Sequence, residues 1–177
     1  MDTNLQRVAD EMAIRQALAR GVRGADRLDR SLLESLYWAD AYDYHGSFQG
    51  PAAEFIDWAI PHNAVERSTT HFLGQSLIVF DGDEAGVETY WTAYHMRDLE
   101  AGSRLKVYSG RYVDLFQKRG GEWRVKRREV ISDFRYETEA EPREVQGMRK
   151  LGAHSMADPS YDLLGTPRFT PREQGFA

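Results

Sequence analysis

Cysteine is missing from this sequence altogether, which removes disulfide staples, thiolate nucleophiles and cysteine-ligated zinc from consideration. Positive charge is also in short supply: 23 Lys and Arg against 28 Asp and Glu leave a net charge of −5. With no basic field to attract phosphate backbones or anionic headgroups, neither nucleic acid nor a membrane surface is an expected partner. No run approaches the roughly 18 apolar residues of a membrane helix. The first residues, MDTNLQRVADEMAIRQAL, mix charges with short apolar steps and so lack the apolar centre of a signal peptide. A cytoplasmic location is the expectation.

What remains is an ordinary globular composition. Hydrophobic residues make up 41% and aromatics 12% of 177 residues, enough for one domain with its own core. An apolar stripe through Leu5, Val8, Met12, Ile14, Ala17, Leu18 and Val22 predicts a first helix over about residues 3–23, with Gly21 and Gly24 loosening its end. A second helix fits DRSLLESLYW, capped by Asp29, and a third begins at GPAAEFIDWAI with Pro51 in its first turn and Pro61 as its stop.

The period then changes. HFLGQSLIVF and AGVETYWTAYHMRD, rich in β-branched and aromatic residues, flank Asp81-Gly82-Asp83 as a hairpin. LKVYSGRYVDLFQKR and EWRVKRREVISDF form another around Gly120-Gly121, and AYDYHGSF supplies a short edge strand. Helices first and a long antiparallel sheet afterwards is an α+β order, with helices on one face of the sheet. Residues 1–136 are read as the domain, and 137–177, acidic and then punctuated by Gly and Pro, as a tail over the domain or a neighbouring subunit.

Strand alternation sorts the polar residues by face. It puts His71 with Leu73, Gln75, Leu77 and Val79; Ala93 with His95; Arg128 with Val130, Ser132 and Phe134; and Asp43 with His45 and Ser47. If these sides form one concave face roofed by helices, the result is an apolar small-molecule pocket with a few convergent polar groups. Asp26, after the first helix, is placed to bring a carboxylate from the roof. Taken singly, a strand histidine is more often packed than catalytic, and Asp26 more often a cap. None of the spacings among His45, His71 and His95 is a metal motif, so no metal is expected.

The segments RGADRLDRSLLESLYWADAYDYHGSFQGPAAEFIDWAIP, TTHFLGQSLIVFDGDEAGVETYWTAYH and GRYVDLFQKRGGEWRVKRREVISDF resemble the SnoaL-like branch of the nuclear transport factor 2-like superfamily. The resemblance covers residues 5 to about 136 and is nearest the group of scytalone dehydratase, hexachlorocyclohexane dehydrochlorinase and bile-acid 7-alpha-dehydratase. It implies a cone-shaped α+β barrel, a curved antiparallel sheet wrapped on three N-terminal helices, and a homo-oligomer, with a trimer favoured over a dimer. It also implies an Asp–His pair at Asp26 and His71, a pocket arginine at Arg128 five residues after Trp123, and a second histidine near His95. His45 stands where the dehydratases carry a tyrosine. Gly21 stands where relatives carry a lysine or tyrosine, unless Arg20 or Arg23 substitutes.

From these residues the expected function is cofactor-independent elimination from a hydrophobic cyclic or aromatic molecule. His71 takes a carbon-bound proton, Asp26 fixes its tautomer, and the leaving group departs toward His45, His95 or Arg128. An isomerase or cyclase using the same base, and a binding protein without catalysis, are the alternatives.

Overall fold

In the computed structural model, which describes residues 3–141 and 151–164, three helices gather against a six-stranded curved sheet. The helices are α1 (Thr3–Asp26), α2 (Arg30–Glu34) and α3 (Ala52–Ala64). The strands are β1 (Tyr37–His45), β2 (Phe48–Pro51), β3 (Ser68–Asp81), β4 (Glu84–Asp98), β5 (Ser103–Arg119) and β6 (Glu122–Ala140), in the spatial order β2-β1-β6-β5-β4-β3. The sheet stays open, with β2 and β3 as its edges. A short α4 (Ser160–Leu164) follows in the tail. No helix among the described residues is long and apolar enough to cross a membrane.

The α+β order stands, with several corrections. α1 does not loosen at its glycines, because they are where α2 approaches. A Cβ on Gly21 would lie 2.6 Å from Leu36 Cδ2, and one on Gly24 would lie 2.5 Å from the Leu33 backbone nitrogen. The first half of the α1 stripe is not core either: Leu5, Val8 and Met12 are exposed, while Asp10 reaches Lys118 at 2.8 Å and Arg7 lies over the Phe80 ring. Burial begins at Ile14, Ala17 and Leu18. α2 ends at Glu34, since Tyr37 and Trp38 enter β1. α3 runs past Pro61 to Ala64, so the proline forfeits one backbone bond without ending the helix. β1 is internal, not an edge, and pairs in parallel with β6, so the sheet is not wholly antiparallel. β6 extends into the acidic stretch, its register with β5 running to Ser103↔Ala140.

Bulges on β3 and β6 change which residues face the helices, and one of them, at Lys126, carries the inner face of β6 from Val125 to Arg128. On β3, Leu73 pairs with Trp91 and Ser76 with Thr89, so Gly74 and Gln75 together oppose Tyr90. Beyond that point the phase inverts: Leu77 and Val79 are exposed, and Ile78 and Phe80 pack on the core. On β6, Ser109 pairs with Phe134 and Gly110 with Ser132, which makes Asp133 the extra residue. Phe134 therefore turns outward and Arg135 joins the cavity wall. The Asp133 bulge depends on Gly110, where a Cβ would sit 2.0 Å from the Ile131 carbonyl oxygen. Gly110→Ala is expected to destabilise the fold by about 1–3 kcal/mol in chemical denaturation. An unchanged midpoint would show that β6 yields freely there.

Candidate functional site

Between the helices and the sheet lies a cavity of about 580 Å³, lined by Val22, Leu33 and Leu36 from the roof and by Trp91, Tyr112 and Val130 from the floor. His45, His71, His95 and Arg128 all reach its wall; Asp26 does not line it but stands behind His71. Neither Arg20 nor Arg23 lines the cavity, so neither takes the polar place left by Gly21. Arg23 is spent on the tail instead, donating to Ser160 Oγ at 3.0 Å.

Asp26 is the last residue of α1, where the helix ends over β3. Its Oδ1 meets His71 Nδ1 at 2.7 Å and its Oδ2 accepts the His71 backbone N–H at 2.9 Å, so one carboxylate grips both ends of the same residue. The Thr69 hydroxyl, on the same strand face two residues earlier, donates to Oδ1 at 2.9 Å. Burial pushes the Asp26 carboxyl upward, but the bonds and charge of His71 and the Thr69 hydroxyl outweigh it and hold the pKa below the usual carboxylate value. An ionised carboxylate only accepts, so Nδ1 carries the ring hydrogen and Nε2 presents a lone pair when the ring is neutral.

His95 faces the same wall, its ring 5.7 Å from that of His71 and 5.2 Å from that of Tyr108. Burial, reinforced by the nearby His71, lowers its pKa to about 4. The ring is therefore neutral across the physiological range. Because the unfolded chain binds this proton near pH 6.5 and the native state only near 4, stability should fall as pH drops between those values and level off below them. The contribution is on the order of 3 kcal/mol. In urea unfolding against pH, His95→Gln should flatten that slope; an identical slope in the variant contradicts the assignment.

Arg128 lines the cavity, but its charge is already engaged. Nε and Nη2 donate to the two oxygens of Asp114 at 2.8 and 2.7 Å, and the guanidinium lies 4.0 Å from the Tyr112 ring centroid. Burial opposes its charge, yet Asp114 outweighs burial and holds the pKa well above the usual arginine value. His45 stacks on Phe55 at 4.6 Å, with Nδ1 3.4 Å from Oδ1 of the fully buried Asp43.

The sequence did not single out Thr69, Asp114 or His154, and it named Asp43 only as a neighbour of His45 on one strand face. Alternation puts Thr69 beside His71 and Asp43 beside His45, and the β5–β6 register pairs Asp114 with Arg128 directly. His154 had no such signal. It belongs to the segment 151–164, which packs on its own domain: Tyr161 donates to Asp29 at 2.7 Å, and Arg27 lies 3.5 Å from Asp158. His154 Nδ1 meets the Glu66 carbonyl at 3.0 Å, and Nε2 lies 3.2 Å from Thr69 Oγ1. Asp29 also caps α2, accepting the Leu32 N–H.

The SnoaL-like domain family matches residues 6–129, the span that carries α1 through Arg128. The chain belongs to the SnoaL-like domain family. Solved structures of similar fold include a putative scytalone dehydratase from Novosphingobium aromaticivorans, 22% identical, with a TM-score of 0.67 over 80% of this chain and 94% of that one. A type 3 hexachlorocyclohexane dehydrochlorinase from Novosphingobium barchaimii is 17% identical, with a TM-score of 0.64 over 80% of this chain and all of that one, 100%. The beta subunit of a putative aromatic-ring-hydroxylating dioxygenase from N. aromaticivorans is 20% identical, with a TM-score of 0.58 over 73% and 92%. A comparison with curated protein sequences gives no match. At these identities the likeness is one of fold, and the chemistry rests on the residues of this chain.

Proposed function

We propose that this SnoaL-like protein is a cofactor-independent lyase that eliminates water from a hydrophobic cyclic or aromatic small molecule, with His71 as the general base. The observation that carries the reading is the double grip of Asp26 on His71, which leaves Nε2 as the ring nitrogen without a hydrogen-bond partner among the described residues. A base in this setting takes a carbon-bound proton, and Asp26 stabilises the imidazolium that results. The cavity, lined in larger part by apolar surface, has room for a ring system. The dehydratase and dehydrochlorinase among the structural neighbours support elimination as the reaction class.

The test is a screen of hydroxylated ring compounds by product mass. Loss of the elements of water supports a lyase. A product of unchanged mass assigns the same base to an isomerase or cyclase, and tight retention without turnover assigns the fold to binding. The proposal extends to a homo-oligomer, because the outer sheet face exposes Phe72, Leu77, Val79 and Tyr90, with a trimer as the form the family resemblance implies. A monomer in sedimentation velocity removes that part alone.

A further inference from the structure

The cavity wall holds a second aspartate–histidine pair, on β1. Asp43 is wholly buried, and the Tyr37 hydroxyl donates to its Oδ2 at 2.5 Å. Among the described residues its Oδ1 has no hydrogen-bond partner, and neither has Nδ1 of His45, 3.4 Å away. An unsatisfied carboxylate oxygen in a dry interior is expensive, and a small turn of the imidazole that brings Nδ1–H onto Oδ1 satisfies both atoms at once. Nε2 is then left for the cavity, which His45 lines.

Asp114 has its counter-charge in Arg128, whereas Asp43 has among the described residues only the Tyr37 hydroxyl, so the imidazole 3.4 Å away is the donor at hand for its free oxygen. Tyr37, Tyr112 and Arg128 line the same cavity as His45, Asp43 lies beside it on β1, and Asp114 is bonded to Arg128. From α3 come Phe55 and Trp58, with His62 stacked on the far ring at 4.2 Å. Among the other donors that line the cavity, Arg128 gives two nitrogens to Asp114, Arg97 and Lys106 pair with Glu66, Arg135 pairs with Glu137, and His95 packs against His71 and Tyr108.

We propose that His45 is the general acid of the elimination, and that Asp43 is the positioning residue that holds its Nδ1. The assignment rests on the lyase reading of the site. His71 Nε2 takes the carbon-bound proton, and the electron pair of that C–H bond becomes the new carbon–carbon π bond. The C–O bond breaks toward oxygen, which takes the Nε2 proton of His45 and leaves as water. His71 ends protonated and His45 neutral, and solvent returns one proton from the first to the second.

The test uses two probes that differ only in the leaving group, a fused-ring β-hydroxy ketone and its β-chloro counterpart. Chloride leaves without a proton, whereas hydroxide needs one. His45→Gln should lower kcat on the hydroxy probe by about 10²-fold or more and on the chloro probe by less than about threefold. Asp43→Asn should lower kcat on the hydroxy probe and leave kcat on the chloro probe within about threefold of wild type. Equal losses on both probes, or none on either, overturn the acid assignment, since His45 is then packing or spectator. His71→Ala must impair both probes. If it impairs neither, or wild type turns over neither, the lyase reading itself fails and the acid role fails with it.

Discussion

His71→Ala is expected to lower turnover of a dehydrated substrate by about 10²- to 10⁴-fold while leaving ligand binding nearly unchanged. The side chain is lost from the cavity wall, but the Asp26 grip on the residue 71 backbone N–H persists, and with it the join between α1 and β3. Asp26→Asn is the sharper probe of the same idea. The amide oxygen still accepts a hydrogen bond, but an amide nitrogen facing Nδ1 favours the tautomer with the hydrogen on Nε2, which blocks the lone pair that takes the proton. A loss on the order of 10²-fold or more, in kcat and not in KM, is the expected result. Near-normal turnover of either variant removes the pair from the mechanism.

Asp114→Ala carries the largest expected effect on stability. Asp114 and Arg128 are both almost fully buried and joined by two hydrogen bonds, so removing the carboxylate strands a guanidinium in the interior. A loss of about 3–5 kcal/mol in urea unfolding is the expected outcome. Replacing both partners with apolar residues of similar volume, Asp114→Leu with Arg128→Met, should recover much of it, because the stranded charge and not the missing bond dominates the cost. If the double variant is as unstable as the single one, the unpaired-charge explanation is wrong and shape is the cause.

Much of this arrangement was legible in the sequence, and the limits have physical causes. Hydrophobic period and turn chemistry located three helices and two long hairpins, because Gly82, Gly120 and Gly121 adopt the positive φ that their turns require. Alternation then placed His71, His95 and Arg128 on the inner face. It failed at Leu77, Val79 and Phe134, because a bulge inserts one residue and inverts every side chain after it, and no local pattern in GQS or SDF announces the insertion. It also left Arg128 as a free cation. The Asp114 that engages it becomes visible only once β5 and β6 are set in register across the Gly120-Gly121 turn. His154 was beyond reach for another reason: its segment has no periodicity, and its place over Thr69 and Glu66 is fixed by long-range contacts such as Tyr161 to Asp29.

The fate of one hydrogen tests the central claim most directly. A hydroxylated ring compound that the protein turns over, carrying deuterium on the carbon next to the hydroxyl-bearing one, is incubated with wild type and with His71→Ala, and the product is weighed by mass spectrometry. The predicted product of the wild-type reaction lacks both the deuterium and the hydroxyl oxygen, forms more slowly than from the unlabelled compound, and is nearly absent with His71→Ala. A product that keeps its oxygen, or one formed equally well without the His71 imidazole, contradicts the account.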